Sequence, residues 1–246
     1  KQLNITANVE PIKKLKIDLN ANRTYQHNYT ENYRINGADG SGLNGVYEAL
    51  SPNTFGNFNI STILIKTAFT KSDETGSETF DSFKSNRKDI AFRLAKQAGI
   101  DVNNPANLDL EGYPKGFGKT SQQVLLPSFL AAYSGKDASK EKTGIFRNVP
   151  LPNWSVKYTG LMEMKWFKSN FKRFSVAHGY TAGYTVNQFR TNLELQADPA
   201  NSLDQAGNFK SKTILSNVNL TEQFSPLFKI DMEMKSSIKL SAEMKK

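Results

Sequence analysis

The segment "WSVKYTGLMEMKW" (154–166) alternates apolar and polar side chains along its whole length. Its even positions hold apolar residues or glycine, namely Trp154, Val156, Tyr158, Gly160, Met162, Met164 and Trp166. Its odd positions are polar apart from Leu161, and they hold Ser155, Lys157, Thr159, Glu163 and Lys165. Successive side chains of a β-strand point to opposite faces of the sheet. The segment therefore predicts one long strand with an apolar face and a polar face.

The two tryptophans stand at the ends of the apolar row, twelve residues apart. At about 3.3 Å per residue they span roughly 40 Å, which a strand tilt of about 40–45° projects to about 28–30 Å. That height matches the apolar band of a membrane barrel with an aromatic belt at each edge. The row expected to face lipid is Trp154, Val156, Tyr158, Met162, Met164 and Trp166. The row expected to face the lumen is Lys157, Thr159, Glu163 and Lys165.

Similar alternation recurs along the chain. It predicts further strands at residues 1–9, 15–33, 55–71, 174–189, 213–224 and 228–245, which makes about seven antiparallel strands in all. The segments 15–33 and 228–245 keep one period for about 18 residues, whereas strands of soluble proteins usually have about 5–6. In the last strand we expect Ile230, Met232 and Met234 to face lipid, and Lys229, Asp231, Glu233 and Lys235 to face the lumen.

Residues 72–150 break the alternation and predict an insertion between strands. Within it, Phe80, Phe83, Ile90 and Leu94 recur at helical spacing, which predicts a helix over about 78–98 with this side packed on protein. Its expected ends are a capping box at Thr75 and Glu78 and a C-terminal cap at Gly99.

The resulting organisation is three regions: barrel strands at 1–71, the insertion at 72–150 and barrel strands at 151–246. The apolar stretch "VLLPSFLAAY" (124–133) leaves one alternative open, since it could cross the wall once more. The predicted fold class is all-β, with antiparallel strands of a large transmembrane β-barrel and a partly helical insertion.

Composition agrees with this class without requiring it. The chain has 246 residues, a net charge of +9 and a mean hydropathy of −0.53. No apolar run of 18 residues is present, which argues against a transmembrane helix but not against alternating strands. Lys and Arg are dispersed singly along the strands, which disfavours nucleic-acid binding. Both ends, "KQLNITANVE" (1–10) and "SIKLSAEMKK" (237–246), stop inside a pattern, so we expect a piece of a longer chain.

Residues with catalytic or ligand-binding chemistry are few. The chain has no cysteine and two histidines, His27 and His178, each among tyrosines and expected in an aromatic belt. "GYPKGFGKTS" (112–121) imitates a phosphate-binding loop, but Tyr113 occupies the position of its first glycine. Gly179 and Gly183 lie within a strand and indicate close packing or curvature there. We expect no catalytic, cofactor or metal site and no enzyme activity.

Several long blocks resemble a known family. "NVPLPNWSVKYTGL" (148–161), "HGYTAGYTV" (178–186) and "LTEQFSPLFKIDMEMK" (220–235) are similar to the SprA (Sov) family, the outer-membrane translocon of the type IX secretion system in Bacteroidetes. "GNFNISTILIKTAF" (56–69), "NRKDIAFRLA" (86–95) and "GYPKGFGKTSQQVLLPSFLAAYSGKD" (112–137) resemble the same family. The likeness covers most of residues 50–240 in the expected order.

The resemblance implies a single-chain barrel that exports folded cargo proteins and serves gliding motility in some species. It implies outer-membrane lipid, cargo with C-terminal secretion domains, a PorV-type shuttle barrel and a plug protein as partners, with no nucleic acid and no cofactor. Two other interpretations stay open from the residues alone: an ordinary outer-membrane channel or receptor, and a soluble β-rich binding or adhesion domain.

Overall fold

The computed structural model describes residues 1–36, 46–199 and 202–246. The strands are β1 (Gln2–Val9), β2 (Leu15–Asn36), β3 (Val46–Ser61), β4 (Ser72–Asp73), β5 (Gly76–Ser77), β6 (Asn153–Tyr158), β7 (Phe171–Thr191), β8 (Thr213–Phe224), β9 (Phe228–Met234) and β10 (Lys239–Met244). The helices are α1 (Glu78–Gln97), α2 (Gln122–Ser134), α3 (Lys165–Asn170) and α4 (Leu193–Ala197). Short 3-10 turns lie at Pro105–Asn107, Ala138–Lys140 and Gly160–Glu163.

Eight strands form one antiparallel sheet, and β4 and β5 form a separate small hairpin. The mostly antiparallel β architecture that alternation predicts is therefore confirmed. Two places in the sheet are shared by two strands each. Strands β3 and β6 follow each other along one line between β2 and β7. Strands β8 and β9 likewise follow each other along the other edge of β7. Strand β10 pairs with β9 on the side away from β7. The eight strands consequently make six rows that run up and down.

The insertion leaves and re-enters the sheet within one row. Strand β3 ends at Ser61 and β6 begins at Asn153, in line with it. The Leu151 amide donates to the Ser61 carbonyl at 3.0 Å, and the Ser61 hydroxyl donates to the Leu151 carbonyl at 2.7 Å. The insertion therefore comprises residues 62–152, and it begins ten residues before the predicted boundary at residue 72. The inserted residues do not cross the sheet. The stretch 124–133 is buried within α2.

The ends of the rows differ in the length of their connections. The turn at 10–14, the segment 159–170 and the turn at 235–238 lie at one end, which we name the turn end. The segment 192–212 lies at the opposite end, the loop end. At the turn end the Thr159 amide donates to the Lys14 carbonyl at 3.0 Å and the Lys235 amide to the Asn170 carbonyl at 3.0 Å. The three turns therefore support one another.

Two of the predicted long strands are wrong as single strands. The segment 154–166 is a strand only to Tyr158, then a 3-10 turn and the start of α3. The segment 228–245 is a hairpin, because Ser237 takes a positive φ of 67° and turns the chain back after Met234. By contrast, 15–33, 174–189 and 213–224 are confirmed as parts of β2, β7 and β8.

The predicted strand 55–71 is also wrong in its extent. Strand β3 begins at Val46 and ends at Ser61. Beyond it the Leu64 amide donates to the Tyr180 hydroxyl at 2.7 Å, and the Thr67 amide to the Leu64 carbonyl at 3.0 Å. These bonds fold residues 62–70 into turns over the face of the sheet. The short apolar run "ILI" (63–65) therefore packs as a turn instead of continuing the strand.

Helices α1 and α2 form a small core of the insertion. Ile90, Ala91 and Ala95 of α1 pack against Val124 and Ala131 of α2, and all are fully buried. The predicted helix at 78–98 is confirmed, and Leu94 packs against this core. Phe83 contacts Phe129 with a centroid distance of 6.3 Å, whereas Phe80 at the first turn is half-exposed.

The N-terminal cap of α1 differs from the prediction. Ser77 is the cap, and its hydroxyl accepts from the Phe80 amide at 3.3 Å. Thr75 instead donates to the Asp73 carboxylate in the turn between β4 and β5. Because β4 pairs with β5, Thr75 lies in the hairpin turn and bonds to Asp73 instead of capping the helix. Gly99 fits the predicted C-terminal role, since its φ is +77° and its amide donates to the Lys96 carbonyl.

The apolar face of the sheet is divided into two halves. Towards the loop end, α2 and residues 62–70 and 145–146 cover it, and Phe58, Tyr184, Val186 and Phe189 are buried there with Leu126 and Leu130 of α2. We name this the covered half. Towards the turn end α3 packs on Phe171 and Phe174, and among the described residues no other element lies over the sheet there. We name that area the open half.

Candidate functional site

The open half is a wide apolar surface shared by six strands. Ile5 and Met244 are 51 % and 61 % exposed, although both alternate in phase with buried residues of the same face. The registers place these residues on it: Leu3, Ile5, Val9, Leu15, Ile17, Leu19, Trp154, Val156, Tyr158, Val176, Phe228, Ile230, Met232, Leu240 and Met244. Contiguous apolar surfaces of this kind mark contact with a membrane or another protein.

An aromatic cluster lies at the turn end of the open half. Phe167 and Trp166 of α3 approach Phe171 with centroid distances of 5.8 and 5.7 Å, and Phe167 approaches Phe174 at 4.9 Å. Trp166 is 62 % exposed. Helix α3 thus sets an exposed indole beside the first residue of β7.

A second aromatic cluster lies where the open half meets the covered half. Trp154 stacks on Tyr180 with a centroid distance of 4.4 Å, and Tyr180 contacts Phe224 at 5.0 Å. His178 lies 6.4 Å from Trp154, and its Nδ1 is 2.7 Å from the Leu227 carbonyl oxygen. This agrees with an aromatic role for His178. His27, on the same face, lies 5.1 Å from the ring of Tyr25.

The separation of the two clusters can be measured along β7. Phe171 and Tyr180, one in each cluster, are nine residues apart, which is about 30 Å of strand. A tilt of about 35–45° projects this to about 21–25 Å, close to the apolar band of about 25 Å in outer-membrane barrels. Two tryptophans therefore bracket a membrane-sized apolar area, although they do not share a strand.

The predicted apolar row is only partly on this surface. Trp154, Val156 and Tyr158 of β6 and Ile230, Met232 and Met234 of β9 lie on the apolar face by register. Met162, Met164 and Trp166 do not continue the strand row, because residues 160–170 form the 3-10 turn and α3. Met164 is an exposed turn residue.

The predicted polar row divides in the same way. Lys157, Lys229, Asp231 and Glu233 lie on the opposite, polar face of the sheet. Thr159, Glu163, Lys165 and Lys235 belong to the connections at the turn end, so their predicted place in the strand rows is wrong. Glu163 instead joins two turns: it pairs with Lys14 and lies 3.5 Å from the Lys168 Nζ.

That ionic contact lowers the pKa of the Glu163 carboxyl. The hydrogen bond from Lys14, with the charges of Lys14 and Lys168, holds the pKa of the Glu163 carboxyl below its ordinary value. All three groups are solvent-exposed, so salt screens the interaction. The contact links the turn at 10–14 to the turn at 159–170.

Charges of opposite sign face each other on the polar face. Lys229 stands opposite Glu243, and Glu233 opposite Lys239, in the β9–β10 register. The Ser241 hydroxyl donates to Asp231 at 2.6 Å, and the Lys229 Nζ lies 3.6 Å from the same carboxylate. Opposite charges directly across strands stabilise the pair and leave little net field.

The described residues, 1–36, 46–199 and 202–246, include both histidines and many carboxylates. No three His, Asp or Glu side chains converge there as metal ligands would. Across the same residues, no helix is both long enough and apolar enough to cross a membrane. The loop at 112–121 has a packing role, since Asn208 accepts from the Gly118 amide at 2.8 Å and donates to the Thr120 hydroxyl at 3.1 Å.

Sequence reasoning missed that half of the apolar face is covered by the chain's own insertion. The available signal was the high apolar content of "VLLPSFLAAY", where Leu126 and Leu130 recur at helical spacing. Comparisons with known proteins add no assignment. Neither a protein-family model nor a curated protein matches the chain. The surface chemistry of the sheet is therefore the basis for a functional proposal.

Proposed function

We propose that the chain forms part of the wall of a large outer-membrane β-barrel whose lumen conducts folded cargo proteins. The observation that carries this proposal is the open half, a bare apolar face bracketed by two aromatic clusters about 30 Å apart along β7. In water such a face would be an aggregation surface. In a bilayer it is the lipid-facing band, with the tryptophans at the two interfaces.

The arrangement of connections supports the same proposal. The turns at 10–14 and 235–238 join neighbouring rows at one end, as periplasmic turns of outer-membrane barrels do. The long segment 192–212 and the insertion lie towards the other end, which corresponds to the cell exterior. The covered half of the sheet then projects beyond the lipid, with its apolar residues buried under α2.

The polar face supports conduction of proteins over selection of small ions. Lys and Glu side chains alternate in sign across β9 and β10, whereas ion-selective pores use rings of one sign at a constriction. A wall with balanced charges does not hold a moving protein surface strongly. Together with the resemblance to the type IX translocon, this favours passage of cargo that bears C-terminal secretion domains, with a PorV-type shuttle and a plug protein as further partners.

Deletion of residues 227–246, which removes β9 and β10, tests the proposal in the host gene. We expect the shortened protein to reach the outer membrane and type IX cargo to be missing outside the cell. Restoring the intact gene in trans should restore cargo, which controls for damage to the strain. Normal external cargo with the shortened protein alone would exclude the translocon role.

Purification in two media separates the proposal from the soluble alternative. A wall segment should stay dispersed in neutral detergent and aggregate when the detergent is removed, because the open half is bare. A soluble adhesion domain should stay monomeric in both media. An ordinary channel or receptor would behave as a wall segment but would leave cargo secretion unchanged.

A further inference from the structure

A cavity of about 330 Å³ lies between the sheet, α2 and the segment 136–151. Its floor is apolar and is made by Ile60, Leu64, Leu130, Tyr184 and Leu220. Most of these residues belong to the cores under the insertion. The floor is therefore a preformed apolar surface held by two layers of the fold.

The rim of the cavity is basic. Lys136, Lys140, Lys142 and Arg147 line it, and Glu141 is the carboxylate among the lining residues. Glu141 is buried, with its side chain 5 % exposed, and its Oε1 lies 2.6 Å from the Arg147 guanidinium. That pair neutralises itself. The Lys136 Nζ also lies 3.9 Å from the Glu141 carboxylate, and all three lysines are exposed over the apolar floor.

The segment that carries the rim is held firmly to the insertion. The Arg93 guanidinium donates to the carbonyl of Ala138 and, at 2.9 Å, to the carbonyl of Glu141. The Arg147 carbonyl accepts from the Arg23 side chain of β2 at 2.7 Å. These bonds fix the backbone between the lysines, so their charges are held near the floor instead of being carried on a free loop.

The cavity lies beside the second aromatic cluster, that of Trp154, Tyr180 and Phe224. Leu64 of its floor donates its amide to the Tyr180 hydroxyl at 2.7 Å, and Tyr180 stacks on Trp154. On the proposed orientation this is the outer interface of the bilayer, where lipid headgroups lie. A ligand can therefore place its polar end among the lysines and its acyl chain along the apolar floor.

We propose that this cavity binds a lipid whose headgroup ends in a phosphomonoester. A phosphomonoester carries close to two negative charges and has three acceptor oxygens, and ammonium groups bind it as point charges. The apolar floor accounts for the acyl chain, which free phosphate lacks. The inference rests on the proposed wall function, because that function sets the cavity at the headgroup level.

The two tryptophans of the chain provide a specific reporter. Trp166→Phe leaves Trp154 alone, beside the cavity, and Trp154→Phe leaves Trp166 alone, at the turn end. The probe is dibrominated phosphatidic acid in dodecyl maltoside micelles, titrated by mole fraction against dibrominated phosphatidylcholine. Quenching of the remaining tryptophan measures binding without requiring a bilayer.

We expect Trp154 to be half-quenched at a mole fraction of phosphatidic acid at least fivefold lower than that of phosphatidylcholine. Lys136→Gln with Lys142→Gln should abolish this preference, and Lys136→Arg with Lys142→Arg should retain it. The matched control, Lys88→Gln with Lys96→Gln, removes the same charge from α1 outside the cavity and should also retain it. Trp166 should show no preference in any variant.

Three outcomes would overturn the inference. These are an equal response of Trp154 to both lipids, a preference that survives the glutamine pair at the rim, and loss of the preference in 10 mM inorganic phosphate at matched ionic strength. The last would assign the site to free phosphate. Entry of the same proteins into phosphatidylcholine vesicles is scored separately. Failure to enter contradicts the wall proposal, whereas failure in micelles contradicts only the lipid site.

Discussion

At the scale of single residues, Gly179 shows how one side chain would disturb the sheet. It lies in β7 opposite the break between β8 and β9, and a Cβ placed there would stand 2.7 Å from the Ser225 carbonyl oxygen. The backbone at Ser225 cannot move aside as the end of a flexible side chain could. We expect Gly179→Ala to lower the free energy of unfolding by about 1–3 kcal/mol through overpacking.

Gly183 is the matched control, four residues along the same strand. A Cβ there would meet the Thr221 Oγ1 at 3.4 Å, which is close to ordinary contact. We expect Gly183→Ala to cost less than half as much in urea unfolding followed by tryptophan fluorescence. Equal costs at the two glycines would contradict the packing described at Ser225.

A second residue-scale prediction concerns Glu163 and pH. Lys14 and Lys168 lower the pKa of its carboxyl in the folded state. The ion pair therefore stabilises the fold above the ordinary carboxyl pKa of about 4.5, and this contribution is lost as pH falls through the lower folded value. We expect Glu163→Gln to reduce Tm at pH 7 and to leave Tm unchanged at pH 3.

The control for this variant is Glu74→Gln, which removes an exposed carboxylate from the turn between β4 and β5. Its Tm should differ little from that of the parent at both values of pH. A Tm deficit of Glu163→Gln that is the same at pH 3 and pH 7 would exclude the ionic contact as its cause.

At the scale of elements, neighbouring residues of β6 test the proposal that the open half meets lipid. Val156 lies on the open half between Ile17 and His178, and Ser155 points to the polar face. Arginine on the lipid face costs about 2–4 kcal/mol at mid-bilayer and about 0–1 kcal/mol near an interface. Val156 lies two residues from Trp154, so its cost should fall between these values, whereas a lumen-facing site costs far less. We expect Val156→Arg to reduce folding into vesicles strongly and Ser155→Arg to reduce it slightly. Similar losses in a folding titration would contradict the assignment of faces.

The elements also show which parts of the fold the sequence predicts. Strands β2, β7 and β8 and helix α1 follow from periodicity, because each has one period and a polar boundary. The β9–β10 hairpin does not follow from periodicity. Glu233 pairs with Lys239, and the even-numbered residues of both strands lie on the apolar face. Alternation therefore continues through the turn at 235–238 and resembles one strand.

The sequence predicts the aromatic residues of the candidate site but not their geometry. The spacing of Trp154 and Trp166 predicts two separate aromatic positions, and the two residues lie in separate aromatic clusters. The connection between them is a helical turn, where Gly160 lies against the Tyr158 ring. Packing of α3 on Phe171 and Phe174 depends on tertiary contacts. No local period carries that information.

At the scale of the whole molecule, the absence of cysteine allows a direct test of orientation. Gln205→Cys places one thiol at the loop end and Ser236→Cys places one at the turn end. In intact cells we expect a membrane-impermeant maleimide to label Gln205→Cys and not Ser236→Cys. Permeabilising the outer membrane should then expose Ser236→Cys. Labelling of Ser236→Cys before permeabilisation would contradict the proposed orientation.

The interrupted row of β3 and β6 sets an order of events during folding. Leu15 pairs with Tyr158 across more than 140 residues of chain, and closing so long a loop is entropically costly and slow. The insertion brings Ser61 and Leu151 into hydrogen-bond contact. We therefore expect the α1–α2 core to fold first and to act as a short tether between β3 and β6. Ile90→Ala, which alters a residue buried between the helices, should therefore slow refolding of the sheet as monitored at Trp154. The insertion would then control the rate at which the sheet forms in a region that the insertion does not cover.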